Sequence, residues 1–275
     1  MKVLPFKIPK PSNTAIIFQK DQGKFYGQLH QHQELQISLI KEGKGTLLIA
    51  DTIHHFQKGD IFVIGGQQPH VFRNEFTDAL MHTVFFNPQS FGDSFLDLEE
   101  GKGVLDFYAF AKAGFKTIAT AELTTTFDAL SHNEGILRLA HFLHLIHLLT
   151  LSESTPIASF IYHKKISEAD GKKLHRIFEY SLQHFSEPIQ LEDIAQVAAM
   201  TTNGFCKYFK KRTNKTYVQF LTEIRISKVC TLLKEHPELP ISDIALLSGF
   251  LTLSHFNRKF KQYKKMSPSL YRASI

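Results

Sequence analysis

A repeat near the C-terminus of this 275-residue chain restricts its fold more than any other feature. Leu191-Glu-Asp-Ile-Ala195 matches Ile241-Ser-Asp-Ile-Ala245. Thr201, Phe205, Lys207, Phe209 and Lys210 recur 51 positions later as Thr252, Phe256, Arg258, Phe260 and Lys261. Apolar residues spaced by three and four mark helices. Each copy therefore predicts a short helix, a tight turn and a second helix, the helix-turn-helix arrangement, over Leu191–Lys210 and Ile241–Lys261.

The residue types suit that arrangement. Ala195 and Ala245 are small where the two helices of a unit cross closely. Gly249 supplies a turn, because a residue without Cβ adopts positive φ easily. Thr201 and Thr252 are suited to cap the second helix by accepting from its first amides. Phe205/Phe209 and Phe256/Phe260 stand at i and i+4, so each pair shares one face, which is expected to be buried. The opposite face then presents Thr202, Asn203, Cys206 and Lys207 in the first unit, and Leu253, Ser254, Asn257 and Arg258 in the second. Such sets are what a recognition helix offers to base edges in a major groove. Asn matches adenine, Arg matches guanine, and Leu meets a thymine methyl. Thr201 and Thr252 at the helix starts, with Lys210, Lys211, Lys215, Lys261, Lys264 and Lys265 at the helix ends, are placed for phosphates. Between the units, Tyr217–Glu235 reads as one long helix burying Phe220, Leu221, Ile224, Val229, Leu232 and Leu233. Two readers on one face of a duplex must lie about 34 Å apart, one turn of DNA.

Charge points to the same class of partner. Gly171–Ile275 carries 17 Lys/Arg against 8 Asp/Glu, a net of +9, whereas the other 170 residues carry 15 against 18, a net of −3. The positive excess lies wholly in the C-terminal part, which implies a polyanion there, double-stranded DNA or an anionic membrane. The most apolar stretch, His141–Leu151, is about half of the ~20 residues that a span requires, so no membrane role is expected. Cys206 and Cys230 are too few for a disulfide framework, and Met1–Lys7 lacks an apolar signal core. Both features imply a cytoplasmic protein.

The second unit makes a family resemblance specific. Ile177–Arg272 resembles the DNA-binding domain of the AraC/XylS family of bacterial regulators. The resemblance is carried by Gly249-Phe-Leu-Thr-Leu-Ser-His-Phe-Asn-Arg-Lys-Phe-Lys261 and by Met266-Ser-Pro-Ser-Leu-Tyr-Arg272. The family pattern is GF-x-x-x-S-x-F-x-R-x-F-K, followed by a (Ser/Thr)-Pro-x-x-Tyr-Arg ending. The first unit departs from it. Ala199 stands at the usual turn glycine, Cys206 stands where larger or polar residues are usual, and Gly204 costs about 1 kcal/mol of helix propensity. Asn214 and Lys265 replace glycines after the second helices; Asn tolerates the left-handed conformation and Lys does so less readily. The second unit is therefore expected to anchor the protein, and the first to read bases more weakly.

Residues 14–86 read as short strands: Thr14–Gln19, Leu35–Lys41, Gly45–Ile49, Asp60–Ile64 and Ala79–Phe86. Glycine turns separate them, which predicts a sandwich or small barrel. After a loop at Asn87–Gly92, helices are expected over Gly103–Ala113, Thr124–Leu130 and Glu134–Leu149. The last is apolar around most of its circumference, apart from a ribbon of Arg138, His141, His144 and His147. Such a helix requires cover on two sides, one from the β-domain and one from a second copy of the chain. The polar stretch Thr150–Asp170, with the cluster His163-Lys164-Lys165, reads as a linker. The expected fold class is α+β: a cupin-like β-barrel followed by helices, then an all-α domain with two helix-turn-helix units joined by a long helix. Residues 1–150 form the sensor and dimerisation domain, 151–170 the linker and 171–275 the DNA-binding domain.

The barrel reading rests on His30-Gln-His32, Gly43 and Gly45, Gly59-Asp60, and Pro69-His70-Val-Phe-Arg-Asn74. These resemble the cupin barrel that many regulators of this family carry as a ligand sensor. The resemblance implies an effector pocket around His30, His32, Gln36 and His70, with a carbohydrate or related metabolite as the family default. In cupin enzymes the same histidine positions hold a metal together with a carboxylate, and that fourth position is Gln36 here. The choice lies between a metal-free pocket with no cofactor and a zinc or iron site of His30, His32 and His70. The sequence as a whole reads as a DNA-binding transcription regulator without catalysis. A homodimer is expected, with RNA polymerase as a further partner. The alternative is a metal-dependent cupin enzyme with an accessory helical domain.

Overall fold

The protein is described by a computed structural model covering residues 8, 14–74, 77–158, 160–161 and 167–275. Met1–Lys7 and the cluster His163–Lys165 lie outside the described residues. The chain divides into two compact units, Met1–Ala50 with His54–Glu168, and Asp51–Ile53 with Ala169–Ile275.

The first unit begins with seven strands: β1 (Ile16–Gln22), β2 (Leu35–Glu42), β3 (Lys44–Ile49), β4 (Thr52–Gln57), β5 (Asp60–Ile64), β6 (His70–Asn74) and β7 (Leu80–Phe86). Helices α1 (Asp93–Leu96) and α2 (Glu99–Phe110) follow. The chain then re-enters the sheet as β8 (Phe115–Ile118), before α3 (Ala121–His132), α4 (Gly135–Leu151) and β9 (Thr155–Pro156). One sheet has the order β1-β7-β2-β5-β8-β9 and the other β4-β3-β6. The registered pairings are antiparallel, as in Ile37↔Val84 and Ile37↔Val63.

Alternation along the strands divides the unit into two apolar layers, because successive side chains leave opposite faces of a sheet. Leu35, Ile37 and Leu39 of β2 join Ile61, Val63, Val84 and Phe86 in packing on Phe107, Phe127, Phe142 and Leu145 of the helices. The other parity points between the sheets, where Ile40, Phe62, Ile64 and Met81 meet Leu47, Ile49, Phe56 and Phe72. Gln36 and Ser38 of β2 and Thr83 of β7 are all buried, and their parity is that of Ile40 and Met81. They are polar groups set into an apolar interior.

The structure adds β4, β6 and β8 to the strands expected from composition. Four of the six residues of β4 are polar, and β8 is only four residues long, held by its register with β5 (Phe115↔Val63). The expected linker is in part built into the first unit. Thr155–Pro156 pairs with β8, Ile157 is buried in the inner core, and His54 Nε2 donates to the Ile157 carbonyl at 2.8 Å. On α4, Phe142, Leu145, Ile146 and Leu149 face the sheet, while Ile136 and Leu137 are 82% and 56% exposed.

The second unit is helical: α5 (Glu168–His184), α6 (Leu191–Val197), α7 (Thr202–Thr213), α8 (Tyr217–Glu235), α9 (Ile241–Leu247), α10 (Leu253–Lys264) and α11 (Pro268–Ala273). Phe178, Phe209, Tyr217 and Phe220 pack as a ring cluster under α7, with the Phe178–Phe220 centroids 5.1 Å apart. Under α10, Phe256 and Phe260 join Ile226, Val229, Leu233 and Ile244. No helix among the described residues is long and apolar enough to cross a membrane.

The two turns have one geometry and different tolerances. Met200 N donates to Ala195 O at 2.9 Å, and Phe250 N donates to Ala245 O at 3.0 Å, each closing the end of a helix around a left-handed residue. Those residues are Ala199 at φ +52° and Gly249 at φ +83°. A Cβ at 249 would lie 2.4 Å from Phe185 O and 2.8 Å from Arg225 Nε, so this position requires glycine for space as well as for φ. Gly249→Ala is expected to destabilise the second unit by at least about 2 kcal/mol, from strain and clash together. Urea denaturation checks this, and a change within about 0.5 kcal/mol would contradict the close approach.

Candidate nucleic-acid interface and histidine pocket

The outward face of each second helix is fixed by its buried phenylalanines. Phe205, Phe209, Phe256 and Phe260 are all fully buried. On the opposite side of α7, Asn203, Cys206 and Lys207 are exposed and Thr202 is half-buried; on α10, Leu253, Ser254, Asn257 and Arg258 are all exposed. Both sets begin at the helix start, where Thr201 Oγ1 accepts from Gly204 N at 3.2 Å and Thr252 Oγ1 accepts from His255 N at 3.3 Å. The positive end of each helix dipole therefore lies at the end where these exposed sets begin, which favours anions there.

The lysines expected to meet phosphates divide into two groups. Lys210, Lys211, Lys261 and Lys265 are exposed at the helix ends. Lys215 is half-buried, with its ammonium 2.7 Å from Glu223 Oε2, and the Lys264 ammonium lies 5.9 Å from the Tyr271 ring centre. These two are held within the fold. His255 beside Arg258 stays below its ordinary pKa, first because of burial and then because of the charges of Arg258, Lys259 and Arg225. The positive charge of the face thus comes from Lys and Arg rather than from a titrating imidazole. Leu246, Leu247 and Leu251 are also exposed apolar side chains, which the repeat pattern did not single out.

In the first unit the four expected pocket residues converge. His30 and His70 exchange backbone bonds, His30 N to His70 O at 3.1 Å and His70 N to His30 O at 2.9 Å, which places a loop residue against the first residue of β6. One ring nitrogen from each of His30, His32 and His70 lies within 4.8 Å of the others. Gln36 Oε1 lies 3.1 Å from His32 Nε2 and 2.9 Å from His70 Nε2. On its other side Gln36 Nε2 donates to Ser38 Oγ at 2.8 Å, and Ser38 Oγ is 3.0 Å from Thr83 Oγ1. Ser38 and Thr83 were missed in the sequence. The available signal was parity with Gln36 on β2 and the cross-strand register Ser38↔Thr83.

Each imidazole is anchored from behind. The Nδ1 atoms of His30, His32 and His70 donate to the carbonyls of Gln28, Glu34 and Gln68 at 2.8, 3.0 and 2.9 Å. Burial pulls the pKa of His30 down to about 3 and lowers His32; it takes His70 well below its ordinary value, with the neighbouring imidazoles adding to the effect. All three are neutral near pH 7, as an imidazole whose ring nitrogen is to accept a hydrogen bond must be.

Comparison with known proteins follows the same division. Residues 12–149 match the profile of the family described as AraC-like ligand binding domain, and residues 194–274 match a helix-turn-helix domain. An uncharacterized HTH-type transcriptional regulator of Haemophilus influenzae is 24% identical over 257 residues, covering 86% of this chain and 85% of its own. The HTH-type regulator YdeC of Bacillus subtilis is 37% identical over 89 residues, which are 32% of this chain and 30% of YdeC. Matching regulators of Staphylococcus aureus are likewise spanned over only 31% of their length. Among solved structures, fatty-acid-bound ToxT of Vibrio cholerae aligns over 96% of both chains at 16% identity, with a TM-score of 0.38. The DNA-binding domain of AdpA in complex with a target DNA aligns over 37% of this chain and 91% of its own, at 25% identity and a TM-score of 0.35.

The buried histidines give the first unit a pH dependence of known sign. In the unfolded chain each takes up a proton near its ordinary pKa of 6.5, whereas burial depresses that pKa in the fold. The unfolded state therefore binds more protons as pH falls, and stability present above that value is lost on going below it. Thermal denaturation followed from about pH 8 to about pH 5 should show the first unit melting progressively lower. A flat profile would contradict neutral burial.

Proposed function

This chain belongs to the AraC family of transcription regulators, with an AraC-like ligand-binding domain and a helix-turn-helix domain, and from that premise we propose that it is a sequence-specific DNA-binding regulator controlled by an effector in its barrel. The observation that carries the reading is the paired presentation on α7 and α10. Two helices of twelve residues, each anchored by phenylalanines at i and i+4, expose matching i, i+1, i+4 and i+5 positions. Asn203, Cys206 and Lys207, with Thr202 at the edge, read one groove segment. Leu253, Ser254, Asn257 and Arg258 read the other and dominate selectivity. Thr201, Thr252, Lys210, Lys211, Lys261 and Lys265 set the register on the phosphates, and Lys215 and Lys264 support the fold beneath them.

Residues 1–150 act as the sensor and dimerisation domain, 151–170 as the connection and 171–275 as the DNA-binding domain. The effector is a small molecule held at His30, His32, Gln36 and His70. A second copy of the chain covers the exposed side of α4 around Ile136 and Leu137, and effector binding alters how the paired DNA-binding domains reach two half-sites. The work is done in the cytoplasm, RNA polymerase is the natural further partner, and no step is catalytic.

Binding to a selected operator is expected to weaken steeply with salt, because phosphate contacts release counterions. Arg258→Ala should cost about 1–3 kcal/mol and relax preference at one base position, whereas Lys261→Ala should weaken all sequences alike and reduce the salt slope by about one. Titration of labelled duplexes at several salt concentrations measures both. A loss from Arg258→Ala that is equal for every sequence would remove it from base reading.

A further inference from the structure

We propose that Arg225 is a clamp that fixes the spacing of α7 and α10 on DNA, by holding the turn between α5 and α6 against the turn at Gly249. The proposal rests on the joint reading of DNA by α7 and α10 given above, and names the positioning residue that sets their register.

The first observation is that α8 serves two separate cores. Tyr217 and Phe220, in its first turn, pack with Phe178, Phe205 and Phe209 under α7. Ile226, Val229 and Leu233, further along, pack with Phe256 and Phe260 under α10. Arg225 stands where one core gives way to the other. A helix of 19 residues is about 28 Å long, and helices of such length curve with their packing. Two bodies joined by one helix can therefore bend relative to each other, unless a second contact lies off its axis.

The second observation is that Arg225 makes such a contact. Its Nε donates to Phe185 O at 2.7 Å and its Nη2 donates to Glu187 O at 2.8 Å. Both carbonyls lie in the segment between the end of α5 at His184 and the start of α6 at Leu191. Carbonyls at the end of a helix suit a basic side chain. A planar guanidinium meets two of them in a fixed geometry, which a lysine ammonium does not. Arg225 is half-buried, and burial lowers its pKa, so its charge is held in the seam by these two acceptors.

The clamped segment leads into α6 on one side and touches the turn between α9 and α10 on the other. A Cβ at 249 would lie 2.4 Å from Phe185 O, 2.9 Å from Ser186 Cα and 2.8 Å from Arg225 Nε. Gly249 is itself buried, so backbone of one motif meets backbone of the other. The charge of Arg225 also reaches His255 in the first turn of α10, where it helps to hold that imidazole below its ordinary pKa. Loss of the clamp leaves the rings under α7 and the core under α10 in place and leaves the bending of α8 unrestrained. One base pair added between two blocks moves the second by about 3.4 Å and about 35°. A stiff pair of readers rejects that change and a loose pair follows it. Spacing selectivity, rather than base selectivity, is the property that Arg225 controls.

The test uses the full-length protein and labelled duplexes carrying both selected blocks, at their selected spacing and with one base pair removed, one added or two added. A further duplex carries only the block read by α10. The unaltered chain is expected to lose about tenfold or more on each change of spacing, the cost of losing a base contact. Arg225→Met keeps the apolar stem and removes both donors. Its affinities across the spacings should fall within about threefold of one another, less than a single mismatch costs, with binding to the single block unchanged. Arg225→Lys keeps the charge without the two-pronged bond and should flatten the profile in the same way, so it decides the question should Arg225→Met fail to fold. A folded variant that keeps the discrimination of the unaltered chain overturns the clamp. Equal loss on every duplex, the single block included, with a reduced salt slope makes Arg225 a phosphate contact and overturns it as well. An unaltered chain with no preference for spacing overturns the joint reading by α7 and α10, and the clamp with it.

Discussion

The burial of Phe205 and Phe209 beneath α7, and of Phe256 and Phe260 beneath α10, decides what each of those helices can present. A helix with one face locked by two rings a turn apart has no rotational freedom left. Removing one such ring costs about 3–5 kcal/mol in a packed core, a large part of the stability of a domain this size. The outward residues are therefore selected by the inward ones. Asn257 and Arg258 project because Phe256 and Phe260 do not. The same anchoring explains why the first unit tolerates Ala199, Gly204 and Cys206: none of them carries the packing of α7.

The barrel is built on the opposite principle. Its largely apolar interior holds a connected chain of polar groups, His70 and His32 to Gln36, then Ser38, then Thr83. Buried polar groups are costly unless every bond is made, so such a chain has a small number of allowed arrangements. Gln36, where cupin enzymes have a carboxylate, is the member whose two ends differ chemically, as donor and acceptor.

Much of this was legible in the sequence, for particular reasons. The bounds of α8 and β5 agree with the sequence reading because each is a long or strongly patterned segment with clear ends. The outward faces of α7 and α10 followed from the i, i+4 phenylalanines, and the convergence of the histidines followed from resemblance. What escaped depends on partners distant in sequence. β8 is a strand because β5 lies beside it, and Ile157 is buried because the inner core has room for it. Ser38 and Thr83 look like ordinary strand residues until the register places them opposite each other. Lys215 is paired with Glu223 within the fold, which spacing alone does not reveal.

The proposed function requires α7 and α10 to read DNA together. Selection of bound duplexes from a random pool by the full-length protein tests it most directly. Joint reading gives enrichment of a bipartite sequence with two conserved blocks centred one helical turn, ~10 base pairs, apart. The block read by α10 should be the sharper, with a guanine whose preference disappears in Arg258→Ala. A pool that remains unenriched after repeated rounds, or a single short block unaffected by changes on α10, would contradict it.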